Sequence, residues 1–171
     1  MEYGLIGARL GHSYSPVIHR QLGDYRYELL ALPEEAQARA FLEEKNFRGI
    51  NVAIPYKQLV IPYCDWVDPA AREIGAVNTV VNRGGRLYGW NTDLAGFEYL
   101  LAAHGVSLAG NTVLIQGTGG TCKTVTAAAK RQGAAAILTA SRRGGAGHLT
   151  YEEASRRPDV QVVVNTSPAV R

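Results

Sequence analysis

Cysteine is scarce in this 171-residue chain, with two residues, Cys64 and Cys122. Neither stands in a metal-ligand spacing, so a zinc framework is excluded and no metal is expected. Such usage fits a reduced compartment, and the expected location is the cytoplasm. Long apolar runs are missing too. No stretch approaches the ~20 residues of a membrane span. The opening "MEYGLIG" carries an early Glu instead of a basic-then-apolar leader. Charge of one sign is also lacking, because the formal net charge is only +3. That excess does not indicate nucleic acid. Arg supplies 14 of the 18 basic residues, however, and pairs such as Arg142 with Arg143 suit small anions. Neither internal repeats nor low-complexity tracts occur.

What is present is ordinary globular material: 46% hydrophobic and 19% charged residues, enough for a packed core. Short apolar runs alternate with helical patterns, which predicts an α/β fold. Strands are expected at "YGLIG" (3–7), "YRYELLAL" (25–32) and "GINVAIP" (49–55). "SPVIHRQLG" reads as a helix with Ser15 as N-cap, Pro16 in the first turn and Gly23 past the end. Pro33 opens a second helix. Residues 57–75 look helical but broken by Pro62 and Pro69, and "AVNTVVNRGGRLYGWN" reads as a hairpin turning at Gly84-Gly85. "TDLAGFEYLLAAHG" is a helix with Leu94, Phe97, Leu100 and Leu101 on one side. From about Gly110 the pattern becomes strand, glycine loop, helix, strand, helix, with "VQVVVN" as third strand. That is the mononucleotide-binding half of a doubly wound sheet. Two domains are predicted, 1–104 and 105–171.

The loop "GTGGTCKT" (117–124) admits two readings. A nucleoside-triphosphate loop needs Gly before the Lys, where Cys122 stands, and an Asp closing a strand, where Asn165 stands. A dinucleotide turn fits better. Gly117 and Gly119 match the first two glycines of G-x-G-x-x-G, Gly120 adds freedom, and the helix start beyond favours a pyrophosphate. The next strand ends "TASRR", offering Ser141, Arg142 and Arg143 where an NAD site usually shows a carboxylate. Guanidinium groups suit a 2′-phosphate, so NADP is favoured over NAD.

Three stretches outside that half carry polar groups. Ser13 and Ser15 precede a helix start, where a carboxylate would sit well; plain capping is the alternative. Lys57 follows a strand-ending proline, at a sheet edge or simply in solvent. Asn78, Asn91 and Asp93 bracket the apolar hairpin, and Asp93 can also be a helix cap.

Taken in order, "GLIG…HSYSPVIH", "NVAIPYK", "GAVNTV", "GWNTDLAG", "GTGGTCKT" and "VVNTSP" resemble the shikimate/quinate dehydrogenase family over nearly the whole chain. The resemblance implies an N-terminal α/β substrate domain and a Rossmann-type NADP-binding domain. It implies NADP-dependent, reversible reduction of 3-dehydroshikimate to shikimate, a step toward aromatic amino acids. By motif, Ser13 and Ser15 hold the substrate carboxylate, Asn78 and Asp93 bind ring hydroxyls, and Asn51 feeds the same pocket. Lys57 is the acid/base, with Asp93 as the second catalytic residue. Gly117, Thr118, Gly119, Gly120 and Thr121 form the pyrophosphate turn, and Ser141, Arg142 and Arg143 the phosphate motif. The expected partner is a small molecule, with a homodimer left open. Two departures stand out. Ala53 replaces the usual Thr of the strand motif, and "SRR" replaces N-R-T. Quinate or dual-substrate activity, or a binding paralogue without turnover, are the alternatives. Family members continue well past this length, so the chain is expected to be a fragment with an incomplete nucleotide domain that binds cofactor poorly and turns over slowly or not at all.

Overall fold

The computed structural model describes residues 1–11, 13–145 and 147–167. His12 and Pro168 of the quoted motifs therefore lie outside the described residues. Two compact units emerge, Met1–Thr92 and Asp93–Arg171. The division falls earlier than the sequence-based boundary at 104, because Phe97 and Leu101 pack into the core of the second unit.

The first unit is built on a six-stranded mixed sheet. Its strands are β1 (Tyr3–Gly7), β2 (Tyr27–Ala31), β3 (Gly49–Val52), β4 (Trp66–Val67), β5 (Thr79–Arg83) and β6 (Arg86–Trp90), in the order β2-β1-β3-β5-β6-β4. β1 runs parallel to β2 and β3, whereas β5 runs antiparallel to β3 and β6. The β5–β6 turn is made by Gly84 and Gly85, both at positive φ, as the glycine pair predicts. Alternation sends Ile6, Ile50, Val52, Val80, Leu87 and Val67 to one face, where they are buried with Tyr56 and Val60. Helix α2 (Glu35–Glu44) covers this face with Ala38 and Leu42, one turn apart. Helix α3 (Pro69–Ile74) adds Ala71, and its start is fixed by Asp68, whose carboxylate accepts from the Ala70 and Ala71 N–H groups at 2.9 and 3.3 Å. The opposite face presents Tyr3, Tyr27, Asn51 and Thr79, all partly buried. The broken helix expected over 57–75 is instead a run of turns, a 3₁₀ turn at Ile61–Tyr63, the short β4, and then α3. Its prolines suit turn and helix-start positions rather than a helix interior.

In the second unit four parallel strands, β7 (Thr112–Gln116), β8 (Ala136–Ser141), β9 (Leu149–Thr150) and β10 (Val162–Asn165), stand in the order β10-β7-β8-β9. "VQVVVN" is therefore the fourth strand, not the third, and it pairs with β7 on the side away from β8. Helices α4 (Thr92–Ala103) and α5 (Gly120–Gln132) contribute Leu101, Cys122, Val125 and Ala129 to a core with Val113 and Ile115. Helix α6 (Tyr151–Ser155) places Ala154 against Leu114 and Ala140 on the other face. Leu100 does not join the buried stripe of α4, being 52% exposed; Leu94 and Leu101 do. Among the described residues no helix is long and apolar enough to cross a membrane.

Candidate active site

Helix α1 (Ser15–Leu22) starts one residue earlier than expected. Tyr14 occupies the cap position, and Ser15 is the first helical residue rather than the cap. The helix has no side-chain cap bond at Tyr14, and Ser13 Oγ accepts from the Ser15 N–H at 3.2 Å. Both hydroxyls thus sit where the helix exposes its positive end. One turn on, His19 lies flat on the Tyr27 ring, with centroids 3.7 Å apart and planes 12° apart, and its Nδ1 meets the Tyr25 hydroxyl at 2.6 Å. Burial is the main reason the half-buried Tyr27 phenol is pushed up to about 12. A hydrogen bond from the Ser15 side chain draws it back down, and Tyr25 nearby adds to the rise.

Tyr27 donates to Asn51 Oδ1 at 2.7 Å. It reaches across β1, which lies between β2 and β3. Asn51 Nδ2 donates to Thr79 Oγ1 at 3.1 Å, directly opposite in the antiparallel β3–β5 pair. Thr79 Oγ1 donates to Asn78 Oδ1 at 3.0 Å. Asn78 is buried, its Oδ1 accepts from the Thr92 backbone N–H at 2.9 Å, and its Nδ2 donates to Thr92 Oγ1 at 3.0 Å. Asn91, equally buried, donates to the Ala76 carbonyl at 2.9 Å, a bond that shapes the hairpin base.

Lys57 is partly buried in the turns after β3, and its carbonyl accepts from the Val77 N–H at 2.8 Å, one residue before Asn78. Asp93 is the second residue of α4, exposed, and follows Thr92 directly. Ala53 donates its N–H to the Ile6 carbonyl at 2.8 Å. A Cβ on Gly7 would come within 2.9 Å of the Ala53 methyl, so β1 and this turn are in close approach. Sequence reasoning missed Tyr27, Thr79 and Thr92. Thr79 and Thr92 lay inside stretches already singled out. Tyr27 had no local signal, because its partner is two strands away in the sheet.

The second unit offers a different chemistry. Gly117 closes β7 at φ +104°, and a Cβ there would lie 2.9 Å from Thr166 Oγ1 and 3.1 Å from the Ser167 nitrogen. Only glycine meets both demands. At Gly119 and Gly120 a Cβ would meet nothing within 4 Å, so space is open just ahead of α5. Helix α5 begins at Gly120 without a side-chain cap, and Thr118 to Thr121 are exposed. Cys122, the third position of the glycine pattern, is buried in the core cluster, as close helix–strand packing requires. At the end of β8, Ser141 Oγ accepts from the Gly144 N–H at 3.1 Å and so ties down the following turn. Ser141, Thr118 and the exposed Arg142 and Arg143 border a hollow of about 420 Å³. Uncapped helix N–H groups, open glycine backbone and two guanidiniums make a fitting cradle for a phosphorylated dinucleotide.

Residues 5–80 match the model of the shikimate dehydrogenase substrate binding domain. Shikimate dehydrogenase (NADP(+)) of Halothermothrix orenii is 45% identical over 148 residues, covering 81% of this chain and 51% of that relative. The chain thus spans about half the length of curated relatives such as this one. The Clostridium beijerinckii enzyme of the same name is 35% identical, covering 97% of this chain and 67% of its own length. Among solved structures, Thermus thermophilus shikimate 5-dehydrogenase in complex with NADP(H) and shikimate superposes with a TM-score of 0.82. It is 32% identical, and the match covers 98% of this chain and 68% of that one. A matching substrate-domain model, curated relatives and a solved fold agree, and the chain belongs to the shikimate dehydrogenase family.

Proposed function

We propose that this chain supplies the shikimate-binding and NADP-binding residues of a dehydrogenase that reversibly reduces 3-dehydroshikimate to shikimate in the cytoplasm, as a step toward aromatic amino acids. The division into a substrate-binding first domain and a Rossmann-type second domain belongs to the same reading. The observation that carries it is the convergence of polar residues from separate motifs: Asn51, Thr79, Asn78 and Thr92 form one hydrogen-bonded line in the first unit. A line of amides and hydroxyls of this kind suits a small polyhydroxylated ring.

In this reading Ser13 and Ser15 bind the substrate carboxylate at the start of α1, and Asn51 and Asn78 bind ring hydroxyls. Lys57 donates a proton to the carbonyl oxygen as negative charge develops there, and takes it back in the reverse direction. Asp93 binds the neighbouring hydroxyl and holds the ring in register. Gly117 to Thr121 hold the pyrophosphate, and Ser141, Arg142 and Arg143 the 2′-phosphate. The bound nicotinamide supplies the hydride.

The test mixes the chain with shikimate and NADP+ and follows reduced-nicotinamide absorbance, with ligand binding measured in parallel by NMR. Lys57→Ala is expected to abolish turnover while shikimate still binds. Turnover that survives Lys57→Ala would remove the acid/base assignment. A folded chain that binds neither shikimate nor NADP+ would refute the proposal, and a preference for quinate would redirect it.

A further inference from the structure

We infer that Tyr27 is a positioning residue of the substrate site, fixing which end of the Asn51 amide faces the ligand; the inference rests on the shikimate-binding reading above. An asparagine amide presents an acceptor at one end and two donors at the other, and a half-turn about its last bond exchanges them. What sets the choice is the surrounding network. Tyr27 donates to Asn51 Oδ1 at 2.7 Å, and Asn51 Nδ2 then donates to Thr79 Oγ1 at 3.1 Å. Thr79, having accepted, spends its only proton on Asn78 Oδ1 at 3.0 Å. That leaves Asn78 Nδ2 to donate to Thr92 Oγ1 at 3.0 Å. The line is therefore set from both ends, by the phenol donating to Asn51 Oδ1 and by the Thr92 backbone N–H donating to Asn78 Oδ1 at 2.9 Å.

The phenol is itself held. His19 of α1 stacks on its ring at 3.7 Å, so the helix that carries Ser15 also fixes the group that orients Asn51. Ring hydroxyls arriving at Asn51 and Asn78 would meet a fixed pattern of donors and acceptors. Without the Tyr27 oxygen, Oδ1 loses its partner, and the amide is held only through Nδ2, by Thr79 Oγ1 at 3.1 Å and the Asn78 carbonyl at 3.5 Å.

Tyr27→Phe tests this, since the ring still stacks on His19 and only the oxygen is removed. Shikimate affinity, read by NMR titration of the full chain, is expected to fall about tenfold. The Asn51 side-chain amide cross-peaks are expected to shift, while NADPH affinity and the urea midpoint stay close to wild type. Tyr27→Phe is also expected to have no further effect in an Asn51→Ala background, because the hydroxyl acts through that amide. Should Tyr27→Phe fail to fold, Thr79→Val cuts the same line at its next link and is held to the same readouts. Wild-type shikimate affinity in Tyr27→Phe, unmoved Asn51 cross-peaks, or full additivity with Asn51→Ala would overturn this inference alone. A folded wild-type chain with no affinity for shikimate would overturn it together with the functional reading.

Discussion

Two glycines of one loop separate backbone strain from ligand contact. At Gly117 an Ala is expected to damage the fold. Its φ of +104° costs an L-residue about 1–3 kcal/mol. The new methyl would also press on Thr166 Oγ1 at 2.9 Å and the Ser167 nitrogen at 3.1 Å. Neither neighbour yields easily. The Thr166 hydroxyl and N–H both donate to the Gln116 carbonyl at 2.8 Å, so retreat breaks a bond at about 1 kcal/mol. The sum is roughly 2–4 kcal/mol, which for m near ~2 kcal/mol/M lowers the urea midpoint by about 1–2 M. At Gly119 the backbone is extended, φ −80° and ψ −168°, and a methyl meets nothing within 4 Å. Gly119→Ala should leave stability within ~0.5 kcal/mol. If a pyrophosphate lies against that open backbone, the same methyl should lower NADPH affinity at least about tenfold, or ~1.4 kcal/mol. Urea unfolding by circular dichroism and NADPH fluorescence titration read the two effects separately. An unchanged midpoint for Gly117→Ala would refute the strain argument, and wild-type NADPH affinity for Gly119→Ala would refute the placement of the pyrophosphate.

Arg142→Ala should reduce NADP+ affinity about ten- to a hundredfold, as expected for lost charge-assisted bonds, and leave NAD+ affinity nearly unchanged; equal losses for both would mean that Arg142 does not read the 2′-phosphate. Tyr27 gives a pH prediction. Its folded-state value of about 12 exceeds the 10.0 of a free phenol, so the unfolded chain ionises first as pH rises. The contribution is intact below about pH 10 and is lost between about 10 and 12, so Tyr27→Phe should lose less stability over that window. Parallel urea-midpoint curves for the two proteins across it would count against the raised phenol.

The first unit was legible where periodicity was strong. Alternating apolar residues marked β1, β3 and the β5–β6 hairpin, and Gly84-Gly85 marked its turn. Helix starts were less secure: Ser15 has the composition of a cap, but the chain turns helical one residue sooner, at Tyr14. Asn51 and Asn78 could be nominated from motifs. Their partnership through Thr79 could not, because it depends on the β3–β5 register that places Asn51 opposite Thr79. Tyr27 was further out of reach, since only the order β2-β1-β3 brings its phenol over β1 to Asn51.

The second unit shows why a miscounted strand bears on function. β9 is two residues long, too short to leave a period, and is defined only by the pairing of Ala140 with Leu149 and Ser141 with Thr150. Overlooking it made "VQVVVN" the third strand of the half-sheet. With β9 in place, the order outward from β7 runs to β8 and β9 on one side and to β10 on the other. The reversal falls at β7, and in open parallel sheets the crevice that receives a ligand opens beyond the strand ends at such a reversal. Asn165 pairs with Gln116 at that end, which brings Thr166 against Gly117. The crowding that forbids a side chain at Gly117 thus comes from the strand that creates the crevice. The glycine pattern and the strand order are two consequences of one arrangement, and both support the proposed dinucleotide site beyond the carboxyl end of β7.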